Sequence, residues 1–330
     1  MSNIESRLWI LGAPDPEMER IEGLLRECGE TMVYATTGDG ERVTPATAYR
    51  CPVPEAPEGA TVYAVECIDV LPDGWVRIDH HRPGDPGFGR PPSEFLAASS
   101  IGQVIAELAR LGRLPETWPR LCTSEGCTWQ RGELVTRGGH PAQPHFPLGW
   151  WVTTREEGET GDASYGADAG ETAEVPRDLV LCAAADHCLG AAYRGECPGV
   201  DPDELMRWRA ASRAAFQQRA VEDVLADVEK ACERLRAAPV VTLGESLAAR
   251  DLRGEHVPEL PEAAAREGLA YLSTVPDRDG RRKVVLGGHT TPETVRAFLD
   301  HWAPAQGLVD AYGDPERGFA GAYYPTEVAS

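Results

Sequence analysis

Short apolar runs separated by amphipathic stretches organise the first 112 residues. Residues 7–12 (RLWILG) read as a strand, and PEMERIEGLLREC predicts a helix over 16–28. Val33-Tyr34-Ala35 is a second short strand, after which 36–60, rich in Gly, Pro, Thr and Glu, reads as loop. The β-branched and aromatic run TVYAVEC at 61–67 is a strand, 75–79 is the next, and helices follow near 93–112. Strands alternating with helices predict an α/β domain built on a doubly wound, mainly parallel sheet.

Residues 120–176 break this rhythm. A Gly/Pro-dense region leads into REEGETGDASYGADAGETAE, which has few apolar anchors and is expected to be a mobile loop. Order returns at Leu179–Ala185 (LVLCAAA), a buried-strand pattern ending in Asp186-His187. An Ala-, Arg- and Glu-rich tract over 202–237 predicts one long helix or two. Residues 239–330 read as a smaller α/β unit, with strands near 269–275, 282–286 and 307–312 and a helix from Pro292 to Trp302. The expected organisation is a domain over 1–200 with an insertion at about 120–176, a helical linker over 201–238, and a second domain over 239–330. No internal repeat is visible.

Composition narrows the classes. Apolar residues make up 42% of 330, ordinary for a globular chain with a sizeable core. No run approaches the length that spans a bilayer, and the first residues lack a basic segment followed by an apolar one, so a cytoplasmic protein with no membrane partner is expected. Nine cysteines without a disulfide-like framework fit a reducing compartment. A net charge of −21 argues against long duplex nucleic acid, which needs a basic footprint. It leaves room for small nucleotides or short single strands whose charge a bound metal offsets, and for a homo-oligomer or a protein partner.

Ionisable groups gather at strand ends. Residues 75–79 run directly into Asp79-His80-His81, and a loop then leads to Ser99-Ser100 and an apolar-periodic helix. A carboxylate and two imidazoles are a costly way to end a buried strand unless each is paired or bound. Their position beyond a strand's carboxyl end is where open α/β sheets place ligands. The first strand leads to Asp15 and Glu17, TVYAVE to Glu66, and LVLCAAA to Asp186. In a parallel sheet all four groups open onto one edge, and metal-assisted phosphoester hydrolysis needs such convergence. Each also has a plainer reading. Asp15 is a good helix N-cap before Pro16, Glu66 can be an exposed strand-end residue, and Asp186 can cap a helix beginning at His187. Arg194 lies two turns after Asp186, within reach of a phosphate or simply solvated.

The strand-IDHH-loop-SS-helix pattern resembles the DHH phosphoesterase superfamily, which includes single-strand exonucleases, oligoribonucleases, cyclic-dinucleotide hydrolases and a class of inorganic pyrophosphatases. The match covers roughly residues 7–112 and 179–197. It implies that Asp15 and Glu17 stand where the family has a pair of Asp, and that Glu66 replaces a bridging Asp. It also implies metal ligands at Asp79, His80 and Asp186, a substrate-facing donor at His81, and Mn²⁺ or Mg²⁺ as cofactor. Leu11 stands where the family's first motif usually has His, and Glu17 and Glu66 are one methylene longer than Asp.

Gly287-Gly288-His289, between a strand and a helix, resembles the Gly-Gly-His element of the DHHA1 domain often attached to DHH domains. The glycines allow close approach of a phosphate, although a tight strand–helix turn explains them equally. Arg317, in the turn Asp314–Phe319, is a further candidate phosphate contact. Cys122, Cys127, His140 and His145 satisfy a C-x4-C-x12-H-x4-H zinc spacing, but the intervening glycines and prolines do not suit a finger helix. The resemblance implies a metal-dependent hydrolase acting on short oligonucleotides, dinucleotides or phosphorylated nucleotides. The alternative is a catalytically degenerate scaffold that binds nucleotide as a regulatory or assembly subunit, a reading favoured by Leu11 and the acidic balance.

Overall fold

Four parallel strands carry the N-terminal half. The computed structural model describes residues 6–45, 47–118, 120–121, 128–130, 133–135, 150–153, 172–244, 247–276 and 281–325. Strand β1 (Arg7–Leu11) leads into helix α1 (Pro16–Glu27), then β2 (Met32–Tyr34), β3 (Thr61–Val65) and β4 (Val76–Ile78), in sheet order β2-β1-β3-β4. Side chains alternate across this sheet with the strand's two-residue period. Trp9, Leu11, Tyr63, Val65 and Ile78 enter the larger core, where Trp9 stacks on Tyr63. Leu8, Ile10, Val62 and Ala64 face the other way, onto Ala35, Val43, Ala48 and Cys51 of the long loop. A short helix α2 (Phe95–Ala98) and helix α3 (Ser100–Arg110) follow, with the Ser99 hydroxyl accepting from Gly102 N–H as the α3 cap.

The insertion contains β5 (Arg120–Leu121), β6 (Thr128–Gln130), β7 (Glu133–Val135), β8 (Trp150–Thr153) and β9 (Thr172–Val175). β5, β9 and β8 form one antiparallel sheet, and β6 and β7 form a hairpin. The four proposed zinc ligands and most of the segment expected to be mobile lie outside the described residues.

One expectation is overturned. LVLCAAA is not a strand but part of helix α4 (Arg177–Tyr193), and Asp186 projects from a helix. A continuous apolar run does not separate a buried strand from a helix buried on all sides, and three alanines favour the helix. Burial on all sides is what the tertiary structure supplies, because α4 touches α1, α2 and α3 on one side and the two helices α5 (Pro202–Gln217) and α7 (Leu260–Glu267) on the other. The helix kinks at Cys188, directly after Asp186-His187.

The expected helical tract is two helices, α5 and α6 (Val221–Ala237), separated at Gln218 in a left-handed conformation. The C-terminal unit is larger than its apolar pattern suggested. A mixed sheet of β10 (Val240–Gly244), β11 (Leu247–Leu252), β12 (Ala270–Pro276), β13 (Arg282–Gly288), β14 (Val309–Asp314) and β15 (Phe319–Tyr323) runs in the order β10-β11-β12-β13-β15-β14. Helix α8 (Pro292–Ala297) continues through a π-turn at Phe298–Trp302 into α9 (Ala303–Ala305), and its Val295, Phe298 and Trp302 fill the core beneath the sheet. The class is α/β, with one parallel and one mixed sheet beside the small antiparallel sheet and hairpin of the insertion. No helix among the described residues is long and apolar enough to cross a membrane.

Candidate metal centre

The carboxyl ends of β1, β3 and β4 meet the middle of α4. Asp15, after β1, caps α1 by accepting Met18 N–H at 2.7 Å, so its cap and site roles coexist. Glu17, in the first turn of α1, accepts the Ile101 N–H of α3 through Oε1, which turns Oε2 inward. Glu66, just after β3, has a left-handed φ of 51°, uncommon for a residue with a side chain and typical of strained functional positions. The loop after β4 closes tightly over His80, and only glycine fits at position 87. A Cβ there would lie 1.9 Å from Ala98 O and 2.7 Å from His80 Cβ.

Four buried atoms define the centre. His80 Nε2 lies 3.0 Å from Asp186 Oδ2, 3.7 Å from Glu66 Oε1 and 3.9 Å from Glu17 Oε2. None of the four has a hydrogen-bond partner in the protein, and the 3.0 Å approach lies off a hydrogen-bond direction. Native interiors rarely leave one such group unsatisfied, let alone four aimed at one point. Donor atoms of Glu66, His80, His81 and Asp186 all lie within 4.8 Å of one another, so these residues can hold a metal ion. Carboxylate and imidazole donors suit a divalent cation without selecting one.

Charge crowding points the same way. Burial and the charges of Glu66 and Asp186 push Asp15 up to about 8, and burial with the same two neighbours holds Glu17 well above the carboxylate range. Asp186 goes the other way. Despite burial, the positive charge of His81 and Arg317 holds it far below its ordinary value. Carboxylates crowded together divide into protonated and ionised members unless a cation neutralises them.

Asp79, expected as a ligand, instead organises the turn. Its Oδ1 accepts the His80 and His81 N–H groups and His81 Nδ1–H, while Oδ2 accepts the Tyr49 hydroxyl. Burial works against ionisation, yet these His81 contacts hold Asp79 down at about 2. Against the opposing effect of burial, Glu66, Asp79 and Asp186 push the half-exposed His81 up to about 9. Asp79→Asn is therefore expected to return the His81 midpoint in an NMR titration toward its ordinary 6.5. A midpoint that stays near 9 would mean that Glu66 and Asp186 alone sustain the charge.

The C-terminal unit reaches this centre through Arg317. Its guanidinium donates to the backbone carbonyls of His187 (2.8 Å), His80 (2.9 Å) and Asp186 (3.4 Å). Asp314 Oδ1 accepts the Arg317 N–H and its Oδ2 the Gly89 N–H, fixing the turn. Arg194 is engaged elsewhere, bidentate to Glu196 and donating to Thr290 O. Gly287 and Gly288 line a cleft of about 310 Å³ with Asp186, His187, Arg209, Tyr271, Arg317 and Phe319. Gly288 has φ +84°, and a Cβ would lie 2.5 Å from Leu269 O, so packing alone accounts for it. His289 sits near Arg194 and Glu196.

Sequence reasoning missed Tyr49, Gln103 and the role of His187. Gln103 exchanges amide hydrogen bonds with the Asp79 backbone from α3, and a polar residue amid Ile101, Gly102, Val104 and Ile105 was an available signal. Tyr49 came from a segment read only as loop, with no local signal at all. Compared with family models, curated proteins and solved structures, the chain matches none of them.

Proposed function

We propose that this chain is a metal-dependent phosphoesterase of DHH type, acting on short oligonucleotides, dinucleotides or phosphorylated nucleotides with Mn²⁺ or Mg²⁺. The observation that carries this reading is the convergence of unpartnered buried oxygens of Glu17, Glu66 and Asp186 on His80 Nε2. His80, Glu66 and Asp186 would hold the ion, with Glu17 and Asp15 adding charge around it. When bound, the ion supplies charge neutralisation at the phosphate oxygens and a water of lowered pKa.

The chain's own groups do the remainder. Without the ion, Glu66, Asp79 and Asp186 push His81 up to about 9, and with Nδ1 held by Asp79 its Nε2 is the nitrogen left to donate to a phosphate oxygen as charge develops there. Arg317 fixes the backbone of the site and, from the same side, borders the cleft in which the rest of a substrate would lie. A doubly wound N-terminal domain with a DHHA1-like partner belongs to this same reading.

The degenerate-scaffold alternative rests on Leu11, which is fully buried in the apolar core where the family has a ligand. One assay separates them. With Mn²⁺, hydrolysis of a dinucleotide is expected to far outpace that of a long single strand or duplex, with only mild salt dependence. Absence of hydrolysis from every substrate, with nucleotide still raising the unfolding temperature, would favour the scaffold. A steep salt slope with preference for long duplex would overturn the substrate assignment.

A further inference from the structure

We infer that His187 is a positioning residue that decides which nitrogen of His80 carries the proton, and thereby presents His80 Nε2 as a lone-pair donor to a cation. The inference rests on the metal-binding reading for its purpose, but its structural content stands apart from it. The two imidazoles are both buried, their planes lie within 22° of each other, and their Nδ1 atoms are 2.8 Å apart. Two neutral rings place a single proton on that line, so one Nδ1 donates and the other accepts.

The far nitrogen of His187 breaks the tie. Nε2 lies 3.4 Å from the carbonyl oxygen of Arg90, which can only accept, so the favoured tautomer of His187 has its proton on Nε2. Its Nδ1 then accepts, and His80 must donate from Nδ1. With its one proton used there, His80 turns a bare Nε2 toward Asp186, Glu66 and Glu17. A lone pair facing three carboxylates has no hydrogen to share with them, and a cation satisfies all four at once. The opposite tautomer would set Nε2–H off the hydrogen-bond direction to Asp186, 3.0 Å away, and would leave the lone pair of His187 Nε2 against the Arg90 carbonyl. Ligating histidines are commonly fixed through their second nitrogen by a carboxylate or carbonyl; here an imidazole stands in that place and relays the carbonyl's preference. Arg317, which holds the backbone carbonyls of both histidines, keeps the two rings in register.

The test uses the full-length protein labelled with ¹⁵N-histidine. In the metal-free wild type, long-range ¹H–¹⁵N spectra are expected to show His80 protonated on Nδ1 and bare on Nε2. Mn²⁺ affinity is then measured calorimetrically for the wild type, His187→Leu and His187→Asn. Leucine removes the acceptor while filling the site, and is expected to weaken Mn²⁺ binding by roughly 10–100-fold and to move the His80 proton to Nε2. Asparagine restores an acceptor near the former Nδ1 and should recover most of the affinity. A wild-type His80 protonated on Nε2, or a folded His187→Leu protein with unchanged tautomer and affinity, overturns the inference. Failure of the wild type to bind Mn²⁺ would overturn the metal reading instead, and the spectra would still decide the role of His187.

Discussion

Manganese at a hundred times its dissociation constant is expected to stabilise the wild-type protein by about 2.7 kcal/mol, and His80→Ala to erase that gain together with turnover. His80 Nε2 is the atom on which the three unpartnered carboxylate oxygens converge, so its loss removes the centre of the set and not merely one member. The effect should depend on pH with a definite sign. Asp15, pushed up to about 8, holds a proton at neutral pH in the metal-free protein, and Glu17 is raised well above its ordinary 4.5 by burial and the same neighbours. A divalent cation placed beside them displaces those protons, so affinity should rise about tenfold per pH unit for each proton released, up to pH of about 8.

The metal-free protein should show the opposite trend. A carboxyl whose folded pKa is raised contributes stability that is full below its unfolded value near 3.8 and is lost as pH rises through about 8. Calorimetry in buffers of different ionisation enthalpy counts the protons directly. Metal affinity that is flat between pH 6 and 8 would show that Asp15 and Glu17 do not share the field of the ion.

The second large effect is expected at Arg317. Its guanidinium joins three carbonyls of the N-terminal half to a turn of the C-terminal unit, and its removal leaves those carbonyls in a partly buried place without a charged donor. Arg317→Ala is expected to lower unfolding stability by about 2–4 kcal/mol. It should also weaken metal binding, because the backbone of His80, Asp186 and His187 is what it holds. Arg317→Lys keeps the charge but not the planar fork, so it should recover only part of each loss. Denaturant unfolding and Mn²⁺ titration of the three proteins would measure both effects. If Arg317→Ala unfolds like the wild type but raises KM alone, Arg317 is a substrate contact and not a clamp.

Much of the N-terminal sheet was legible because its signal is local. RLWIL and TVYAV are the short, continuous apolar runs that a strand buried on both faces carries, and Asp15-Pro16 marks the start of α1 by cap chemistry. Asp79-His80-His81 at a strand end announced a site for the same reason, since those groups are too costly to bury unpaired. The C-terminal sheet was half legible. β10, β11 and β15 were missed: β10 and β11 carry exposed or half-buried positions in place of a clean apolar run, and β15 (FAGAY) is diluted by small residues with little strand preference.

What sequence by itself determined is therefore the set of chemical groups and the strand ends that deliver Asp15, Glu66 and His80 to one edge. Tertiary structure alone decided how those groups are used. LVLCAAA carries equal apolar content as strand or helix, and only burial on every side by neighbouring helices makes it α4 and brings Asp186 in from a helix. Asp79 became a scaffold because Tyr49, thirty residues away, and His81 occupy its oxygens. His187 gained its role because its ring meets His80 across 107 positions of chain. Composition and periodicity describe a residue's own surroundings along the chain. A hydrogen-bond partner far along the chain is fixed by packing, and for these residues the partner determines the chemistry.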